Sequence, residues 1–327
     1  MKGLELSERY FNTYGLSMLR NQFPQLLDRV AAGLVGQGSD CLGFDDEISA
    51  DHDFGPGFCL WLNEEDYEKF GAELSIAYEA LPKDFLGVQS RVISAQGDGR
   101  VGVFEIHAFY RRFIGNEQPP RSHLRWLYLP DLQLANATNG RVFYDPSGAF
   151  SAIRNAISTY PEDVRIKKIA ARVAIMAQSG QYNYARSMRR GEFVAAELAL
   201  REFVQATVSV VHALNHCYTP YYKWMFHSMK RLPVLAPTVA SMLEELFTLG
   251  CQRAAWIEQT APDFNPYVNV RDRRVVLIEE ICRHTVAALQ VQGLSDLDAD
   301  FLEAHAWEIV KRIKDPQLRR IHVMEGA

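Results

Sequence analysis

One stretch of the sequence decides the fold of the N-terminal half: GSDCLGFDDEISADHDF, residues 38–54. It follows an apolar segment at 30–36, which predicts a short strand, and it opens with the small-residue pair Gly38-Ser39. It ends in Asp51 and Asp53, within a second predicted strand at 50–54. Alternate side chains of a strand share one face at a spacing of roughly 6.5–7 Å, so both carboxylates are expected to meet at one spot.

Two such carboxylates are typical of a magnesium site. Mg²⁺ takes one or two protein carboxylates and completes its shell with water and substrate phosphates. A Gly-Ser turn before a helix presents backbone N–H groups to a phosphate, and Ser39 is expected to donate its hydroxyl there, to cap the helix, or both. The other acids are expected to be solvated or to order the loop: Asp40, Asp45, Asp46 and Glu47. The alternative is a charged loop beside a Gly-Pro-Gly turn.

The pattern resembles the nucleotidyltransferase superfamily, which includes DNA polymerase beta and kanamycin nucleotidyltransferase. The signature of that superfamily is Gly-Ser, about ten further residues, Asp-x-Asp, and a third carboxylate on a later strand. The longer wording GSDCLGFDDEISADHDFGPGFCLW, residues 38–61, is similar to a family of bacterial nucleotidyltransferase-like proteins with a helical C-terminal half. The resemblance extends to Gly191-Glu192 and to the Tyr-Tyr-Lys-Trp run at 221–224.

Glu105 is the predicted third carboxylate. It stands alone among apolar residues in a strand predicted over Val101–Ala108. His107 lies two residues further on and is expected on the same face, as the general base or as a partner of a metal ligand. The alternative for Glu105 is a solvent-facing residue of an edge strand.

Composition limits the class of protein. The chain has 327 residues, 48% of them hydrophobic, and a formal net charge of −5, which disfavours a chain-wide nucleic-acid surface. Its five cysteines form no Cys-x-x-Cys pair, which favours reduced thiols in the cytoplasm. The sequence shows no signal-peptide pattern, and no apolar run approaches the ~20 residues that span a bilayer.

The periodicity predicts two domains and an α+β fold. Residues 1–145 predict a mixed sheet with flanking helices, the nucleotidyltransferase domain. Residues 146–327 predict an all-α domain of six to eight helices, with a long buried helix over 198–214.

Two polar and aromatic stretches of the helical half are candidates for nucleotide contact. In residues 181–192, Arg186, Arg189 and Arg190 are candidates for a phosphate contact, and Tyr182 or Tyr184 is a candidate for stacking on a base. Lys223, among aromatic residues, is expected to touch a triphosphate in the cleft between the domains, as helical-domain cations of the superfamily do. The alternative for residues 181–192 is a surface linker between helices. The alternative for Lys223 is a snorkelling lysine on an amphipathic helix.

The resemblance implies a Mg²⁺-dependent nucleotidyltransferase with two metal ions. Such an enzyme moves a nucleoside monophosphate, AMP if the donor is ATP, from a nucleoside triphosphate to an acceptor hydroxyl and releases pyrophosphate. The acceptor stays open between a small molecule, a protein side chain and an RNA 3′ end, with RNA disfavoured by the net charge. A catalytically silent nucleotide-binding regulatory or partner protein is the alternative, and a protein-binding scaffold is a third hypothesis.

Overall fold

The structure is a computed structural model that describes residues 1–49, 54–89, 91, 99–257 and 265–327. The chain forms two compact units. The first comprises Met1–Pro120 and Leu129–Ser158, and the second comprises Arg121–Tyr128 and Thr159–Ala327. The boundary expected after residue 145 falls inside the first unit, to which residues 146–158 also belong.

A four-stranded mixed sheet lies at the centre of the first unit. Its strands, in the order β3-β2-β1-β4, are β1 (Ala31–Leu34), β2 (Cys59–Leu62), β3 (Gly102–Glu105) and β4 (Arg141–Tyr144). β1 is antiparallel to both of its neighbours, and β2 is parallel to β3. The two central strands, β1 and β2, are buried along their whole length. The strand predicted at 30–36 is thereby confirmed with shorter bounds.

Helices pack on both faces of this sheet. Alternate residues of β2 point to opposite faces and contact different helices. Leu60 joins an apolar cluster with Leu6 and Leu74, whereas Trp61 stacks on Phe150 with ring centroids 3.8 Å apart. The helices of this unit are α1 (Gly3–Tyr10), α2 (Leu16–Gln22), α3 (Ser39–Leu42), α4 (Glu64–Glu79), α5 (Ile106–Ile114), α7 (Asp131–Thr138) and α8 (Ala149–Ala156); α6 (His123–Leu127) belongs to the second unit.

The described part of the second unit is helical and contains none of the four strands. Besides α6, it comprises α9 (Glu162–Met176), α10 (Ala185–Arg189), α11 (Phe193–Leu214), α12 (Tyr222–Met229), α13 (Ala236–Thr248), α14 (Ala254–Ile257), α15 (Arg273–Val291), α16 (Leu302–Lys311) and α17 (Pro316–Arg320). A π-helical segment, Ala177–Tyr184, joins α9 to α10. Within residues 146–327, the described residues form the ten helices α8 to α17, more than the six to eight predicted, because three of them span at most five residues, too few to show a period.

The chain is therefore an α+β protein with a mixed sheet in its N-terminal half and a helical C-terminal half. The long helix predicted over 198–214 is confirmed as α11. Among the described residues, no helix has both the length and the apolar character needed to cross a membrane.

Candidate functional site

The Gly-Ser turn lies between β1 and α3. Gly38 precedes the helix with φ of +129°, a conformation that L side chains rarely adopt, and a Cβ there would overlap the Arg100 guanidinium. Ser39 is the first residue of α3, and the capping position before it is Gly38, which has no side chain to cap the helix. The expectation that Ser39 caps the helix is therefore wrong, because Gly38 occupies the capping position.

Asp40 is buried beside this turn between two arginines. Its Oδ2 accepts a hydrogen bond of 3.0 Å from Arg91 Nη2, and its Oδ1 accepts one of 2.9 Å from Arg100 Nη2. Arg100 also donates through Nε to the backbone oxygen of Gln37, at 2.9 Å. Of the two expectations for Asp40, solvated residue or loop organiser, the structure thus confirms the second.

Two further acids of the loop also act locally. Asp45 is buried, and its Oδ2 accepts a hydrogen bond of 2.8 Å from the backbone N–H of Gly3. Asp46 is exposed, and its Oδ1 accepts the N–H of Ser49 at 2.9 Å. These side chains order residues 45–49 ahead of the acidic pair.

Asp51 and Asp53 lie outside the described residues, as does most of the strand predicted at 50–54; Phe54, which is described, is not in a strand. The sheet topology nevertheless shows at which end of the sheet β2 begins. β1 and β2 are antiparallel neighbours with Gly33 opposite Cys59, so the turn after β1 and the segment before β2 lie at the same end. Arg91 joins the two, since its Nη2 also donates to the backbone oxygen of Gly55 at 3.1 Å.

Glu105 ends β3 and caps α5. Its Oε1 accepts the backbone N–H of His107 at 2.7 Å, and its Oε2 accepts the N–H of Ala108. The strand predicted over Val101–Ala108 is therefore wrong beyond Glu105. His107 lies in the first turn of the helix and does not share a strand face with Glu105.

The strand register separates Glu105 from the Gly-Ser turn. Gly102 donates its N–H to the backbone oxygen of Phe58 at 3.0 Å, just before β2, whereas Glu105 lies opposite Leu62 at the far end of β2. Three residues of strand correspond to roughly 10 Å. The role of Glu105 as a metal ligand or base stays a prediction, and this register gives it no support.

In the second unit, Arg186 and Tyr182 are paired with each other. The Arg186 guanidinium lies 4.5 Å from the centroid of the Tyr182 ring and donates to the Tyr182 hydroxyl. Tyr184 is fully buried and donates its hydroxyl to Asp272 at 3.0 Å, so it is not available to stack on a base. Lys223 is exposed, with its Nζ 5.1 Å from the Trp224 ring. Phosphate contacts of Arg186 and Lys223 stay predictions.

Cysteine chemistry at the turn is disfavoured. Burial raises the pKa of Cys41 well above its usual value, and burial raises the pKa of Cys59 to about 12. Both thiols are therefore neutral at physiological pH and are poor nucleophiles. Within the described ranges, no group of three or more His, Cys, Asp or Glu side chains is placed to hold a metal ion.

No sequence pattern indicated the two arginines at the turn. Arg91 is 51 residues from Asp40 along the chain, and Arg100 is 60 residues away. No spacing rule links them, because the pairs form only when distant segments of the chain pack together. The only sequence signal is that Asp40 follows directly on Gly38-Ser39.

Comparisons with known proteins match part of the chain to a domain family and the chain to a solved structure. A family model described as "Domain of unknown function (DUF4037)" matches residues 126–225, less than half of the chain. The chain is similar to the crystal structure of a nucleotidyltransferase-like protein from Exiguobacterium sibiricum 255-15, with 9% identity over 94% of this chain and 81% of that one. The TM-score of 0.34 is too low to support an argument about activity. No curated protein matches the chain significantly.

Proposed function

We propose that the protein is a Mg²⁺-dependent nucleotidyltransferase that transfers AMP from ATP to an acceptor hydroxyl. The observation that carries the proposal is the pair of contacts made by Arg91 Nη2, with Asp40 at 3.0 Å and with Gly55 O at 3.1 Å. These contacts hold the chain that leaves the Asp51-His52-Asp53 motif against the Gly38-Ser39 turn. The parts of the site follow one another in the order that the sequence motif requires: a strand, the Gly-Ser turn, the acidic pair and the adjacent strand.

Each part has a chemical role in this proposal. Asp51 and Asp53 are the ligands for Mg²⁺, a hard cation that suits carboxylate oxygens and, when bound, neutralises charge on the triphosphate. The backbone of Gly38 and the hydroxyl of Ser39 bind phosphate oxygens. The acceptor oxygen attacks the α-phosphorus, the bond from that phosphorus to the bridging oxygen breaks, and pyrophosphate leaves while the acceptor loses its proton to a base. The five free cysteines fit a cytoplasmic location.

The test follows the α-phosphate. The protein is incubated with Mg²⁺ and each of the four α-³²P-labelled ribonucleoside triphosphates, in the presence of small-molecule, protein and RNA fractions of a cell extract. We expect one fraction to acquire label with release of pyrophosphate. The Asp51→Asn/Asp53→Asn variant is expected to lose this transfer by a factor of about 10³ or more, since it removes both metal ligands.

Glu47→Gln is the matched control, because it removes an exposed carboxylate from the same stretch. It is expected to retain full transfer. Equal labelling by the parent and the double variant would refute the proposed site. Nucleotide that binds but never releases pyrophosphate with any fraction would instead favour the silent regulatory protein.

Glu105→Gln belongs in the same series. Because both Glu105 oxygens already accept N–H groups of α5, we expect transfer to persist and the free energy of unfolding to fall by about 1 kcal/mol through a weaker cap. Loss of transfer at unchanged nucleotide affinity would assign the third acid to Glu105 after all.

A further inference from the structure

A cavity of about 630 Å³ opens in the second unit, and all of its lining residues belong to that unit. Its walls come from the π-helical segment Ala177–Tyr184, from residues 267–270, from α15 and from the residues just before α16. They combine aromatic rings, valines and a few charged groups, the composition typical of a small-molecule site.

The aromatic part of the wall is formed by Tyr182, Tyr267 and Phe301. The Tyr182 and Tyr267 rings are nearly parallel, with an interplanar angle of 11° and centroids 5.6 Å apart. Tyr182 is 39% exposed and Phe301 is 38% exposed, so both rings offer surface to a ligand. Tyrosine and phenylalanine faces attract flat groups and cations.

The polar part of the wall centres on Glu279. Its Oε2 accepts a hydrogen bond of 2.8 Å from Gln181 Nε2. Gln181 Nε2 donates also to the backbone oxygen of Asp300 at 3.0 Å, and Gln181 Oε1 accepts the N–H of Leu302 at 2.9 Å. Gln181 is thus fully engaged and holds the carboxylate in place, while Glu279 Oε1 accepts no hydrogen bond from any described residue.

The charges around Glu279 favour a positively charged ligand. Burial raises the pKa of Glu279, and the neighbouring Asp300 adds to that rise, while Gln181 and Arg283 oppose it. A cation placed against the carboxylate offsets both the burial of its negative charge and the repulsion from Asp300. An anion would be attracted by Arg283 but repelled by Glu279 and Asp300, and a neutral ligand would desolvate the carboxylate without compensation.

We propose that this cavity binds a small organic cation with a flat apolar body, such as an aromatic amidinium or ammonium. An N–H of the ligand donates to Glu279 Oε1, and the rings of Tyr182, Tyr267 and Phe301 cover its body. The proposal rests on second-unit residues alone and does not depend on Gly38, Ser39, Asp51 or Asp53.

The test uses three probes of nearly equal shape on the full-length protein: the cation benzamidine, the neutral benzamide and the anion benzoate. Dissociation constants are measured by ligand-observed NMR titration. We expect benzamidine to bind about tenfold more tightly than benzamide, the effect of one charge-assisted hydrogen bond, and benzoate to bind most weakly. Stronger binding of benzoate, or no saturable binding of benzamidine, would overturn the proposal.

Two variants of α15 locate the binding. Glu279→Gln keeps an acceptor for Gln181 and is expected to bind benzamidine no better than benzamide. Glu280→Gln removes the adjacent carboxylate, which lies 3.8 Å from Arg273 outside the cavity wall, and is expected to keep the tenfold preference. Tyr267→Leu is expected to weaken benzamidine and benzamide alike. Retained preference in Glu279→Gln, with the same melting temperature as the parent, would show that the cation binds elsewhere.

Discussion

At the scale of single residues, Lys167 combines a buried position with an ionisable group. Its side chain is fully buried, and its Nζ donates to the backbone oxygens of His322 and Val323 at 2.6 and 2.9 Å. These carbonyls accept two of the three ammonium hydrogens but carry no full negative charge. Burial consequently lowers the pKa of Lys167 to about 8, only partly opposed by Glu325.

This lowered pKa predicts that Lys167 contributes a rise in stability at alkaline pH. Between pH 8 and about 10.5, Lys167 of the unfolded chain keeps the proton that Lys167 of the folded chain releases, so its contribution to the free energy of unfolding rises with pH across that window. The buried thiols of Cys41 and Cys59, whose pKa values are raised, contribute with the opposite sign, so the Lys167 contribution is read from the difference between the parent and a Lys167 variant. Lys167→Met should remove this rise, on the order of 2 kcal/mol. Urea unfolding at pH 8 and pH 10 measures it.

Lys311→Met is the control, because Lys311 is exposed and pairs with Glu308 on the surface. Its pH dependence should match that of the parent. An identical slope in all three proteins would mean that Lys167 does not titrate in this window.

At the scale of helices, the Asp272 carboxylate joins three elements of the second unit. Its Oδ1 accepts the N–H of Arg274 at 2.8 Å at the start of α15. Its Oδ2 accepts the Tyr184 hydroxyl at 3.0 Å, from the π-helical segment, and Trp256 Nε1 at 2.7 Å, from α14. The cap of one helix therefore also fixes two of its neighbours.

Asp272→Ala is expected to lower the free energy of unfolding by about 3 kcal/mol, because it removes a cap and the acceptor of two buried side chains. Asn63→Ala, which removes the cap of the more exposed helix α4, should cost only about 1 kcal/mol. Urea denaturation followed by far-UV circular dichroism measures both. Similar losses in the two variants would show that Tyr184 and Trp256 gain little from Asp272.

At the scale of the whole molecule, the first unit depends on residues beyond the boundary expected from the sequence. Helix α8 buries Phe150 and Ile153, and Ile157, buried as well, follows directly after it. Phe150 lies against Trp61 of the central strand β2. A first domain that ended at residue 145 would expose this face of the sheet to water.

We therefore expect a fragment of residues 1–158 to unfold cooperatively in urea and a fragment of residues 1–145 not to do so. The shorter fragment loses three buried side chains at about 2 kcal/mol each, on the scale of the 5–15 kcal/mol that stabilise a typical domain. In the full chain, Phe150→Ala should cost about 3–5 kcal/mol. Equally cooperative unfolding of both fragments would place the structural boundary at 145.

Much of the fold could be predicted because it depends on neighbours in sequence. The start of α4 follows from Asn63 and the acidic residues after it, since a cap acts over three residues. The period of 3.6 predicts α11. The end of β3 could not be predicted, because the residues around Glu105 are apolar enough for a strand, and the helix begins where that carboxylate can cap it.

The sequence by itself determined the order of the candidate site: a strand, the Gly38-Ser39 turn and the pair Asp51 and Asp53. It also determined the change from mixed to helical structure, because the hydrophobic period is a local property. Only the tertiary structure decided that Arg91 and Arg100 hold Asp40, and that Gln181 fixes Glu279 in a cavity. The physical reason is that a buried charge is stabilised by groups within a few ångströms in space, and the packing of strands and helices brings those groups from distant parts of the chain.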